Sequence, residues 1–190
     1  MSDTKSEVEN TNRDYASSFG NKALLASPPA RRIAVLTRMD ARLDPAGFAG
    51  LREGDAHVIR NAGGRASDDA IRSLVISHKL LGTSEWFVIH HTECGMETFT
   101  NEIMGSLLAE SIGPAAYTDG FWQNTSGEPG AAAGKHIDWL TIADAEQSIR
   151  DDVEQIRNHP LVPSSIRVHG YQYDVKTGAL SEVTKPGASG

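Results

Sequence analysis

The chain has 190 residues, 39% of them hydrophobic and 23% charged, which suits one globular domain with its own core and excludes a disordered chain. The formal net charge is −7 and the pI about 5.4, with no Lys/Arg run, so nucleic acid and acidic membrane surfaces are not expected partners. The single cysteine, Cys94, excludes an internal disulfide framework. The polar start lacks an apolar signal core, and no apolar run reaches the roughly 18 residues of a membrane span. The expectation is a cytoplasmic protein in which Cys94 is a free thiol.

In chain order, residues 1–13 read as polar and mobile, and a short helical arm is expected over 12–25, anchored by Tyr15 and Phe19. Ser27-Pro28-Pro29 ends that arm, so 1–27 is an extension, 28–185 the folded domain and 186–190 a disordered tail. Arg32–Thr37 is a continuous apolar run of strand length, as in a strand buried on both faces. Ala56–Arg60 is a second strand. A helix follows over Asp68–Gly82, capped by Ser67 or Asp68 and stopped by Gly82, with Asp68 and Asp69 complementing its dipole. Trp86–His90 is the third strand. Glu97–Ser111 reads as a helix with Phe99, Ile103, Leu107 and Leu108 inward, 117–135 as a long loop, and Asp144–Asn158 as a helix burying Ile149, Val153 and Ile156. A strand over Ser165–Val175 and a last one through Leu180 and Val183 close the chain. Strands alternating with helices predict an α/β fold, a mostly parallel sheet flanked by helices with an N-terminal helical arm.

Chemistry-bearing residues follow the first three strands, where an open parallel sheet places its ligand crevice. They are Arg38-Met39-Asp40-Ala41-Arg42 after the first, Asn61-Ala62-Gly63-Gly64 after the second, and His90-His91-Thr92-Glu93-Cys94 after the third. A His-x-x-Cys turn can bring an imidazole and a thiolate to about 2.0–2.3 Å from one metal ion, but two ligands do not make a site. Asn61, Ala62, Gly63 and Gly64 read equally as a small-anion cradle of backbone N–H groups and as a tight turn that needs small residues. His90 reads as a packing residue facing away from the site, His57 as a hydrogen-bonded core histidine, and His136, His159 and His169 as surface residues.

Together the stretches MDARLD, AHVIRNAGG with DDAIRSL, and IHHTECGM resemble the β-class carbonic anhydrases, closest to the short bacterial and archaeal branch that includes COS and CS2 hydrolases. The resemblance runs from about Arg32 to Thr100, and more weakly to the closing strands. It implies a zinc site with His91 and Cys94 as ligands, Asp40 as a gate, a fourth ligand or a base-orienting residue, and Arg42 as its partner. It also implies homodimers or higher homo-oligomers acting on a small-molecule substrate.

At the position where that family carries its first cysteine ligand, this chain has Arg38. A guanidinium stays protonated and has no lone pair to give. Either zinc is absent, or it is held by His91, Cys94 and Asp40 with Arg38 swung outward. Three functions follow as expectations. The first is zinc-assisted addition of water to CO2, COS or CS2. The second is metal-free catalysis with Cys94 as nucleophile, Arg38 lowering its pKa and holding an anionic substrate, and His91 as acid/base. The third is a non-catalytic binding module.

Overall fold

The computed structural model describes residues 3–184. Among the described residues there are seven strands: β1 (Ile33–Arg38), β2 (Ala56–Asn61), β3 (Glu85–His91), β4 (Ala115–Thr118), β5 (Phe121–Asn124), β6 (Arg167–Tyr173) and β7 (Leu180–Thr184). The α-helices are α1 (Thr4–Ser17), α2 (Pro45–Ala49), α3 (Asp68–Lys79), α4 (Asn101–Glu110) and α5 (Ala145–Arg157). Five strands form one sheet in the order β2-β1-β3-β6-β7, parallel except for the β6–β7 pair, and β4 and β5 form a separate antiparallel hairpin. The mostly parallel sheet flanked by helices is the architecture expected from the sequence.

Every residue of β1 is buried, which explains the apolar run Ile33–Leu36 at its start; Thr37 and Arg38 are buried polar residues at its end. β2 lies at the sheet edge and alternates between partly buried and exposed residues, with Val58 facing out. The core gathers Leu36, Leu74, Trp86, Val88, Ile149, Val153 and Ile156 between the sheet and helices α3 and α5. Ser67 caps α3 by accepting from Ala70 N, and Asp144 caps α5 by accepting from Gln147 N. The three residues expected to face inward on α5 are all buried.

Some expectations are corrected. Residues 4–17 form a helix rather than a mobile segment, and the helical arm ends at Ser17 and continues as a 3-10 turn over Gly20–Leu24. Asp3 caps α1 by accepting from Lys5 N, and Lys5 pairs with Glu9 one turn on. No α1 residue is buried, so there was no apolar stripe to mark it. Tyr15 and Lys22 bond Glu53 and so tie the arm to the domain.

The 117–135 segment is not a structureless loop. It contributes to the β4–β5 hairpin, turned by Asp119 and Gly120, both at positive φ, and a 3-10 turn over Ala132–His136. α4 starts only at Asn101, and Ile103 is exposed while Gly105 is its buried residue. His169 is not a surface residue: it pairs with Glu85 at 2.8 Å and stacks on Phe87. The expected tail at 186–190 lies outside the described residues.

Candidate active site

Parallel pairing sets the ends of β1 and β3 side by side, and Thr37 Oγ1 donates to Ile89 O between them. The segments leaving those strand ends therefore converge on one cleft of about 390 Å³. Arg38, Asp40, Ala62, Gly63, His91 and Cys94 line it, and Phe99, Trp122 and Trp139 supply its aromatic wall.

Asp40 and Arg42 form a bidentate pair, Nε to Oδ1 at 3.0 Å and Nη2 to Oδ2 at 2.7 Å, and Arg42 N also donates to Oδ1. These hydrogen bonds outweigh the opposing effect of burial and hold the Asp40 carboxyl well below the usual carboxylate range. Arg42 Nη2 also reaches the carbonyl of Glu93, which has φ +55° in the His-x-x-Cys turn. One guanidinium thus ties the β1 exit to the β3 exit.

His91 is buried at the end of β3. Its Nδ1 lies 2.6 Å from Thr92 O, a carbonyl that can only accept, so Nδ1 carries a proton. Burial first, then the neighbouring Arg38 and Arg42, push the imidazole pKa down. The neutral ring therefore presents the Nε2 lone pair to the cleft, 3.3 Å from Asp40 Oδ2. Cys94 is also buried, and its Sγ accepts from Met96 N. Burial raises the thiol pKa by more than Arg38 lowers it, so Cys94 is a thiol and not a thiolate at neutral pH.

Arg38 points inward, with only 2% of its side chain exposed. Nη1 donates to His91 O at 3.2 Å and lies 3.8 Å from Glu97 Oε1. The outward arrangement considered above is not the one adopted. Gly63 and Gly64 have φ +75° and +66°, which explains why the turn after β2 takes glycines. A Cβ at Gly64 would stand 3.0 Å from Arg38 Cγ. Asn61 Nδ2 donates to Arg65 O and its backbone carbonyl accepts from Met39 N, while its buried Oδ1 has no hydrogen-bond partner.

The glycine turn is braced from behind. Arg65 Nε holds buried Asp152 at 2.9 Å, and Arg65 Nη1 reaches the carbonyls of Leu140 and Thr141 beside Trp139. His90 is a buried packing residue, between Ser148, Gly64 O and Asp152. His57 is hydrogen-bonded to Ser77 at 2.7 Å. His136 is exposed and His159 half-buried, both away from the cleft. The sequence reading missed Trp122, Trp139 and the Arg65–Asp152 brace. The Asp119-Gly120 hairpin signal could have located Trp122, whereas the long-range brace had no local signal.

The donor set does not suit a zinc ion held in the manner the resemblance implies. Among the described residues, no three His, Cys, Asp or Glu side chains are placed to hold a metal. Arg38 instead puts a fixed positive charge there. Two like unit charges about 4 Å apart near a protein surface repel by roughly 4 kcal/mol, and a dication doubles that.

The carbonic anhydrase family profile matches residues 33–180. The chain is 40% identical over 173 residues to β-carbonic anhydrase 1 of Mycobacterium tuberculosis, covering 91% of this chain and 93% of that one. It is 37% identical over 158 residues to a carbon disulfide hydrolase of Acidianus sp., covering 80% and 78%. A solved carbonic anhydrase from Glaciozyma antarctica superposes with a TM-score of 0.81 at 42% identity, covering 97% of this chain and all of that one. No helix among the described residues is long and apolar enough to cross a membrane. The chain belongs to the β-carbonic anhydrase family.

Proposed function

We propose that this cleft adds water to a small carbonyl-type electrophile, CO2 or a sulfur analogue such as COS or CS2. The observation that carries the reading is the pairing of His91 Nε2 and Asp40 Oδ2, 3.3 Å apart in the cleft with Arg38 beside them. A neutral Nε2 and an ionised carboxylate are both acceptors, so one water can donate a hydrogen to each and turn a lone pair outward. Asp40, held acidic by Arg42, orients that water and does not take its proton; His91 is the group able to do so. As the water oxygen bonds the electrophile carbon, one C=O or C=S pair moves onto its terminal atom. Arg38 stabilises that charge, and the proton passes through His91 to solvent. The relatives named as carbonic anhydrase and carbon disulfide hydrolase support this substrate class.

The test is stopped-flow CO2 hydration together with CS2 turnover read as H2S release. Turnover above buffer is expected for the unmodified protein and a loss of at least about 100-fold for His91→Ala, the usual worth of a general base. Absence of turnover with both substrates overturns the proposal. No observation favours Cys94 as a nucleophile, because its thiol is raised and not lowered.

We also propose that two copies pair through the β2 edge and the arm. β2 is an outer strand with Val58 exposed, and α1 buries none of its residues while Val8, Tyr15 and Phe19 are exposed. Light scattering of the purified protein should give twice the chain mass or a multiple of it; a monomer rejects the pairing.

A further inference from the structure

Arg38 carries two buried donors, Nε and Nη2, with no hydrogen-bond partner. These nitrogens form one edge of the guanidinium, the edge that matches a planar carboxylate with two parallel N–H groups. Arg42 spends the same edge on Asp40, and Arg65 uses Nε on the Asp152 carboxylate. Of these three arginines around the cleft, Arg38 alone has its fork empty. Among the described residues the carboxylate within 4 Å is Glu97, which lies 3.8 Å from Nη1, not part of that edge, and is one-third exposed; Asp152 acts on the guanidinium from farther away.

Leaving a buried donor unmade costs about 1–3 kcal/mol, and more on a charged group, so the empty fork is an energetic deficit that an anion would relieve. The position is also firmly fixed. Arg38 is the last residue of β1, Nη1 is bonded to His91 O, and Cγ packs against the Gly63-Gly64 turn, where a Cβ would crowd it. Around it the cleft is lined by Met96, Phe99, Trp122 and Trp139, with the Asp40 carboxylate also in the lining, so it suits a ligand of a few atoms carrying a single charge and offers no second cation for a larger polyanion.

We propose that Arg38 makes this cleft a metal-free receptor for one small trigonal oxyanion, bicarbonate or a short monocarboxylate, bound through Nε and Nη2. The inference rests on the reading that the cleft handles CO2-class molecules, and it names the anionic form as the one that is held. The edge is closed from bulk water in this structure, so binding shifts the side chains that cover it. Trp122 and Trp139 in the cleft wall report that shift.

The test is calorimetric and tryptophan-fluorescence titration with sodium bicarbonate, formate and acetate, using chloride as control, after a neutral chelator has been dialysed in and out. Saturable binding of a trigonal oxyanion is expected, weakened roughly 10- to 100-fold in Arg38→Gln, the worth of hydrogen bonds to a charged group. Arg38→Lys, which keeps the charge and loses the fork, should fall between the two. The Arg38 Nε–H resonance of the unmodified protein, followed by nitrogen-15 NMR, should move with the same saturation curve, which keeps the proposal testable if a variant does not fold. No saturable binding, an unmoved Nε–H signal, or Arg38→Gln binding like the unmodified protein overturns it. Preference for bicarbonate over formate and acetate identifies the product of CO2 hydration as the ligand, and the reverse identifies a carboxylate. Binding without CO2 or CS2 turnover leaves the receptor standing and removes the catalytic reading; turnover without anion binding does the opposite.

Discussion

Replacing Gly64 with alanine tests the packing that seats Arg38. Gly64 has φ +66°, and an added Cβ would lie 3.0 Å from Arg38 Cγ, 3.2 Å from the Arg38 backbone nitrogen and 3.2 Å from His90 Cδ2. The left-handed conformation costs a non-glycine residue about 1–2 kcal/mol. Crowding adds about 1–3 kcal/mol, because a strand nitrogen and a buried imidazole cannot swing aside. The sum is roughly 2–5 kcal/mol, which at about 2–4 °C per kcal/mol for a chain of this size lowers Tm by roughly 4–20 °C. Gly82 provides the control: its φ is +75°, but an added Cβ meets nothing within 4 Å. Gly82→Ala therefore carries the conformational cost alone, roughly 2–8 °C in Tm. Calorimetric melting of both variants against the unmodified protein gives the packing term as their difference. If Gly64→Ala melts no lower than Gly82→Ala, the close approach of Arg38 and His90 to the glycine turn is refuted.

Zinc analysis by inductively coupled plasma mass spectrometry should find well under one ion per chain in the unmodified protein and near one in Arg38→Cys, which restores a thiolate donor. A fully loaded unmodified protein would show that the donor set does accept zinc. Asp40 is more acidic folded than unfolded because of Arg42, so its contribution to stability is present above the ordinary carboxylate pKa and fades as pH falls below it. Urea unfolding between about pH 6 and about pH 3 should therefore cost the unmodified protein more stability than it costs Arg42→Ala; equal losses contradict the pairing. The Cys94 thiol, raised by burial despite Arg38, should react with iodoacetamide at neutral pH more slowly than free cysteine and accelerate as pH climbs past about 9. A rate at neutral pH matching free cysteine would show the thiolate that the buried setting disfavours.

Short-range physics made much of this protein readable from its sequence. Ile33–Leu36, the first four residues of the buried strand β1, announce themselves as an apolar run, Ser67 and Asp144 mark helix starts by their capping chemistry, and α5 shows its buried stripe through Ile149, Val153 and Ile156. The sequence also placed Asp40, Arg42, His91 and Cys94 at strand ends, because parallel strands deliver the segments that follow them to one edge of the sheet.

Other features depend on partners far away in the chain. α1 is held by its cap and side-chain pairs and buries nothing, so no apolar period revealed it. His169 stays within the sheet because Glu85 and Phe87 lie on the neighbouring strand. Asp152 on α5 braces Arg65, 87 positions away, and no local pattern encodes that pair. Whether Arg38 turns outward or inward, and whether Cys94 becomes a thiolate, were likewise decided by tertiary structure. The Gly63-Gly64 turn leaves room for the guanidinium to go in, and burial outweighs its pull on the thiol. Residue type set the charge at that position, while packing set its direction and the desolvation it bears.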